Sequence, residues 1–306
     1  MKDKKILVTG GHGFVGKNLI LELQNRGCKN ILNPTRQELD LRVETEVKKY
    51  FEDNKPEIVI HLAGKVGGIL INKEKPGDFF FDNIMMGTLV THYSYLNGVE
   101  KLVSLAAGCG YPKHLKVPFT EVGFWEGLPD ENSQGYSMAK KNLIIQSWAY
   151  RKQFGFNSTV LLPANIYGPH DNFNLHSSHV VPALIRKFIE AGERNEDEVV
   201  VWGSGKATRE FLYVDDTVNT ILQMININET GPFNLGTGVE TSVKELAEIL
   251  KEATEFKGKI VWDVNKPDGQ PRRFYDMTKL KEAVGEIPST SVKDGIIKTI
   301  EWYKKK

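Results

Sequence analysis

The opening stretch KKILVTGGHGFVGKNLI constrains this chain more than any other part of it. A short β-branched run enters three glycines spaced three apart, Gly10, Gly13 and Gly16. A helical pattern follows at once, with Leu19, Ile20 and Leu23 on one face and a stop at Gly27. Glycines at this spacing permit a tight turn, close backbone approach to a pyrophosphate and close helix–strand packing, and the helix N-terminus attracts phosphates. In a strand–turn–helix setting this predicts dinucleotide binding, with Phe14 and Val15 at the helix start among the candidate binding residues.

The first half keeps alternating β-rich runs with helical patterns. NILNP, EIVIHLAG, KLVSLAA and STVLLPANIYG read as strands; the helices run near Val43 to Phe51, Asp82 to Asn97 and Tyr136 to Phe154. That succession predicts an α/β fold with a doubly wound parallel sheet of Rossmann type and ligands at the carboxyl ends of its strands. Ala63, leaving the third strand, joins the candidate cofactor set.

After Gly168 the rhythm changes. An irregular His-containing lead-in precedes a helix with Val181, Leu184, Ile185 and Phe188 inward; VVVWGSG is a strand, and Ser242 to Glu245 matches a capping box. Lys266 to Arg273 reads as a polar loop, and the chain ends in an amphipathic helix. The expected division is a cofactor domain over 1–165 plus about 209–236, and a smaller substrate lobe over about 166–208 plus 237–306.

Forty Lys and Arg nearly balance 39 Asp and Glu, so composition supports neither nucleic acid nor an anionic membrane as partner. No run is long and apolar enough to span a bilayer, and no secretory leader is apparent. Two cysteines, Cys28 and Cys109, argue against a disulfide framework, and no metal-site spacing occurs. These features predict a soluble cytoplasmic protein without a bound metal.

Tyr136 and Lys140 form a Tyr–x–x–x–Lys pair, which a helix places on one face. A neighbouring ammonium, with a cationic nicotinamide, is expected to draw the phenol toward working pH from its ordinary value of about 10. A second such pair, Tyr275 and Lys279, lies beyond the alternating segments and reads as accidental. Cys109 leaves a strand at the ligand-binding edge; it is either a small buried hydrophobe or half of an acid–base pair with His179. In NPTRQELDL, Arg36 falls where a site for NAD offers an acid. A guanidinium there suits the 2′-phosphate of NADP(H), the alternative being a solvated arginine. Asp40 and Leu41 either hold the adenine or, for Asp40, cap a helix.

The motifs VTGGHGFVG, LAGKVGGI, CGYP, YSMAK, LPANIYGPHDNF, SSHVVPALIRKF, REFLYVDD and KPDGQPRR run nearly end to end. In these the chain resembles the extended short-chain dehydrogenase/reductases, and within them the GDP-4-keto-6-deoxy-D-mannose 3,5-epimerase/4-reductases. The resemblance implies Cys109 as epimerisation base, His179 as acid and Tyr136 with Lys140 as the reductase pair. It implies cofactor contacts at Arg36, Pro163, Asn165, Ile166 and His179, and GDP-sugar contacts at Lys187, Trp202, Arg209 and Asp268. It also implies a homodimer built through two long helices, to which Leu143, Ile144, Ile145 and Trp148 would add apolar surface. The branch carries serine at position 107, a second donor to the C4 oxygen, and this chain has Ala107. Loss of one such donor costs on the order of a hundredfold in rate. The expectation is therefore GDP-L-fucose or a close relative as product. The alternative is epimerisation or reduction alone on a related GDP-4-keto sugar such as a deoxyheptose.

Overall fold

Ile6, Leu7 and Val8 at the centre of β1 (Lys5–Thr9) are wholly buried. Ile6 and Val8 join the apolar layer of Leu19 and Leu23 on α1 (Phe14–Asn25), and Leu7 joins the layer of Val47, Phe51 and Val90. A strand buried on both faces is the mark of a covered parallel sheet. The computed structural model describes residues 1–175, 177–266, 268–287 and 289–306, with the backbone alone at 69–70. Pro267, within the predicted polar loop, therefore lies outside the described residues.

The chain continues through β2 (Asn30–Leu32), α2 (Glu44–Asn54), β3 (Ile58–His61), a short α3 (Ile69–Glu74) and α4 (Pro76–Leu96). Next come β4 (Lys101–Leu105), α5 (Gln134–Phe154), β5 (Ser158–Pro163) and β6 (Asn165–Tyr167). The second half holds α6 (Val180–Glu193), β7 (Glu198–Trp202), β8 (Thr208–Arg209), β9 (Phe211–Tyr213), α7 (Val214–Met224) and β10 (Phe233–Leu235). It closes with β11 (Thr241–Ser242), α8 (Val243–Ala253), β12 (Lys259–Asp263), α9 (Thr278–Val284) and α10 (Val292–Lys304).

Six parallel strands form the main sheet in the order β10-β5-β4-β3-β1-β2. The order reverses between β1 and β3, the crevice where doubly wound sheets bind ligands. The predicted fold class is the observed one. Among the described residues, three small pairs, β6 with β9, β7 with β12 and β8 with β11, lie outside that sheet.

Some boundaries differ from expectation for local reasons. The helix expected from Asp82 starts at Pro76, where proline's fixed φ suits the first helical position. STVLLPANIYG is two strands, because β6 leaves the main sheet to pair with β9. Leu143 and Ile144, expected on an exposed face, are buried, while Ile145 and Trp148 are open to solvent. The capping box at α8 forms as expected. Glu245 N–H donates to Ser242 Oγ at 3.1 Å, and Ser242 N–H donates to Glu245 Oε2 at 2.7 Å. Ser242→Ala should lower unfolding free energy by about 1 kcal/mol, read as a lower urea midpoint at unchanged slope.

Candidate active site

The glycine turn packs β1 and α1 closely against the loop after β3. Gly10 has φ +74°, and a Cβ there would lie 2.7 Å from the backbone nitrogen of Ala63; at Gly16 it would meet the Gly10 carbonyl at 2.2 Å. Gly13 precedes α1, so no side chain caps its first turn and no acid stands there. Phe14 and Val15 open the helix half-buried. The turn thus has the close-packed backbone and free N–H groups that a pyrophosphate needs.

A cavity of about 680 Å³ adjoins it, lined among others by Gly10, His12, Arg36, Asp40, Leu41, Ala63 and Asp82. The Arg36 side chain is 71% exposed there, with Nε 3.7 Å from Asp40. Asp40 has a stronger partner that its sequence neighbourhood did not suggest. Arg42 clasps its carboxylate through Nε at 2.9 Å and Nη2 at 2.6 Å, which holds the Asp40 pKa down at about 2. Arg42 also reaches Asp82, to which Lys65 donates at 2.9 Å. Asp40 therefore shapes the cavity wall through Arg42. It is not a helix cap, since Val43 occupies that place before α2.

At the chemical end, Lys140 is only 4% exposed, yet Nζ reaches the carbonyls of Leu105 at 3.3 Å and Ala63 at 3.5 Å, which leave β4 and β3. Burial pushes its pKa down to about 8. Tyr136 stands one turn earlier on α5, with its ring edge-on to Phe79. Its phenol is displaced upward, by burial first and by the charge of Cys109 second. The expected downward pull is thus reversed in the protein alone, because desolvation of a phenolate outweighs a nearby amine.

Cys109 sits in the turn Gly108–Gly110 that follows β4, partly exposed. Ser137, fully buried on α5, donates to its Sγ at 3.2 Å. Ala107 is 7% exposed and its side chain offers no donor. Beneath the turn the Tyr275 hydroxyl donates to the Pro163 carbonyl at 3.3 Å. It fills the place a side chain at Gly108 would take, since a Cβ there would lie 1.8 Å from it. Asn165 is exposed and Ile166 half-buried on β6 just beyond. His179 stands immediately before α6. The residue as a whole is exposed, yet the surrounding protein desolvates its imidazole and lowers its pKa. Among the described residues no hydrogen bond or ion pair joins His179 to Cys109.

The remaining candidates gather on the second lobe. Lys187 donates to the Val200 carbonyl at 3.0 Å and lies 5.7 Å from the Trp202 ring, which is 58% exposed; Lys266 approaches the same ring at 5.3 Å. Arg209 donates to the Thr208 carbonyl, and burial, reinforced by Arg273, pushes its pKa down to about 10. Asp268 is already engaged, accepting from the Ser204 backbone N–H at 2.6 Å and its hydroxyl at 2.7 Å. Sequence inspection missed Asp82 and Ser137, whose partners are distant in the chain, and Arg42, which joins Asp40 two positions before it to the distant Asp82; it also set Tyr275 aside with its chance motif. Lys279 turns away to the Pro232 carbonyl, so Tyr275 and Lys279 do not act as a pair.

A doubly wound sheet, a glycine cradle at its crevice and a tyrosine–lysine helix beside it define a nicotinamide-dependent enzyme of the short-chain dehydrogenase class. The family model described as NAD dependent epimerase/dehydratase family matches residues 6–236. The GDP-L-fucose synthase of Sinorhizobium fredii is 42% identical over 99% of this chain and 96% of its own, and that of Escherichia coli is 36% identical over 99% and 97%. The solved GDP-mannoheptose C4 reductase of Campylobacter jejuni, with NADP bound, superposes with TM-score 0.91 at 31% identity, covering 99% of both chains. The chain belongs to the NAD dependent epimerase/dehydratase family and groups there with the GDP-L-fucose synthases.

Lys140 binds its proton more weakly in the fold, near 8, than at its ordinary 10.5. Its desolvation therefore opposes folding below pH 8, and stability recovers as pH rises from 8 toward 10.5. Lys140→Met should melt higher than the wild type at pH 7, with the gap closing over that interval, while NADPH oxidation is lost.

Proposed function

We propose that this chain is an NADP(H)-dependent enzyme that epimerises C3 and C5 and reduces C4 of a GDP-4-keto-6-deoxy sugar, giving GDP-L-fucose or a close relative. The observation that carries the proposal is Cys109 in the turn beside α5, where its sulfur accepts from Ser137, the residue next to Tyr136, at 3.2 Å. A reductase alone has no use for a thiol there.

The residues present fit a 2′-phosphorylated dinucleotide: the cradle at Gly10 and Gly16, the open N-terminus of α1 and the exposed Arg36. Bound NADPH supplies the hydride that reduces C4. The C4 ketone acidifies the hydrogens on C3 and C5. Cys109 removes each as a thiolate and becomes a thiol, and His179, whose lowered pKa makes its imidazolium a stronger acid, delivers a different proton to the opposite face; both groups then re-equilibrate with solvent. Tyr136 hydrogen-bonds the enolate oxygen. Because burial keeps its phenol neutral, it then gives a proton to the C4 alkoxide, with Lys140 bearing on the phenolate left behind. Lys187, Lys266 and Arg209 supply positive charge for the diphosphate, and Trp202 offers a face for base or sugar. A second reading, one half of this chemistry on a related sugar such as a deoxyheptose, rests on the absent donor at Ala107.

The division into a cofactor domain over 1–165 plus about 209–236 and a substrate lobe over the rest is supported by β10, which returns to the main sheet beside β5. No described helix is long and apolar enough to cross a membrane. The free thiol of Cys109 suits the reducing cytoplasm. The pairing surface is α4 with α5, where Phe81, Ile145 and Trp148 are 56%, 48% and 38% exposed. Light scattering should give twice the 34.5 kDa chain mass, and Ile145→Glu should halve it.

Adding GDP-4-keto-6-deoxy-D-mannose to the protein with NADPH in D₂O should deplete the cofactor's near-ultraviolet absorbance and place deuterium at C3 and C5. Cys109→Ala should lose the deuterium, and Ala107→Ser should speed hydride transfer by at least about tenfold. The absence of both absorbance loss and deuterium incorporation would overturn the assignment.

A further inference from the structure

Ser137 is fully buried in the first turn of α5, one residue after Tyr136, and its hydroxyl faces the Cys109 turn. Oγ lies 3.2 Å from Cys109 Sγ and 3.2 Å from the carbonyl oxygen of the same residue, with Ser133 Oγ at 3.5 Å. A hydroxyl has one proton to donate and two lone pairs to accept with. It can satisfy only one of the two Cys109 acceptors at a time, and which one depends on the state of the sulfur.

We propose that Ser137 is a positioning residue that holds Cys109 through both of its protonation states by rotation of a single hydroxyl. When the sulfur is a thiolate it is the stronger acceptor, and Ser137 donates to it. When the sulfur has taken a proton from substrate carbon, the thiol S–H donates to Ser137 Oγ, and the hydroxyl proton turns to the Cys109 carbonyl. No heavy atom moves, and the sulfur keeps a hydrogen-bond partner in both states. A base used at two carbons of one substrate must change state repeatedly, and this arrangement accommodates each change. The inference rests on Cys109 as the epimerisation base, but its test does not require the sugar.

The measurement is the pH profile of Cys109 alkylation by iodoacetamide, followed peptide by peptide in the full-length protein. The other cysteine, Cys28, is 6% exposed and reports any loosening of the fold within the same experiment. Ser137→Ala should move the rising limb of the Cys109 profile to higher pH. The rate at neutral pH should fall about fivefold, since the lost hydrogen bond to a charged sulfur is partly offset by greater intrinsic nucleophilicity. Cys28 should stay protected. Ser137→Thr keeps the hydroxyl and should restore the wild-type profile.

An alanine variant with the wild-type profile overturns the proposal, as does a threonine variant that follows alanine while Cys28 stays protected. If alanine exposes Cys28, the threonine profile decides. If the alkylation shift appears while the wild type puts no deuterium into GDP-4-keto-6-deoxy-D-mannose, the substrate assignment fails and the role of Ser137 stands.

Discussion

A primary amine buried between two carbonyls fixes the geometry of this site. Lys140 reaches from α5 to the ends of β3 and β4, where Ala63 and Leu105 turn their carbonyls toward it. Desolvating an ammonium is costly, and few neighbours here offset it. The helix must therefore pack where those carbonyls are, which also decides where Tyr136 and Ser137 stand. Gly64 leaves the room needed, since a Cβ there would lie 3.1 Å from Nζ. Asn83 steadies the same loop from α4 by accepting from the Lys65 backbone N–H.

Charge divides the molecule in a useful way. Around the cofactor cavity, Arg42, Lys65, Asp40 and Asp82 neutralise one another, which leaves the exposed guanidinium of Arg36. On the second lobe Arg209 and Arg273 repel each other, and the carboxylate of Asp268 is engaged by Ser204. Each cluster carries surplus positive charge, of the kind that attracts a phosphorylated ligand.

What the sequence makes legible are requirements satisfied within a few residues. The glycine turn, the capping box of α8 and the one-face placement of Tyr136 and Lys140 can be read because each partner is near in the chain. Arg42 and Asp82 lie 40 residues apart and Ser137 and Cys109 lie 28 apart, and no local pattern announces either contact. The short β10 is buried on both faces, so it lacks the alternation that would mark a half-exposed strand. Leu143 and Ile144 misled for a related reason: α5 is covered on more than one side, and its apolar surplus turns inward as well as out. The direction of the Tyr136 shift could not be read either, because burial is a property of the folded chain.

The contact between Gly108 and Tyr275 ties two distant parts of the chain into one inherited unit. The hydroxyl from the loop before α9 occupies the volume of an absent side chain in the Cys109 turn. A single change at 108 to any larger residue collides with a fully enclosed ring, and a single change at 275 to a small residue leaves a void under Cys109. Neither step is neutral alone, whereas the two together exchange one filled volume for another. The pair should therefore vary jointly among descendants of this sequence, and an engineer transplanting the Cys109 turn into a relative would have to carry position 275 with it.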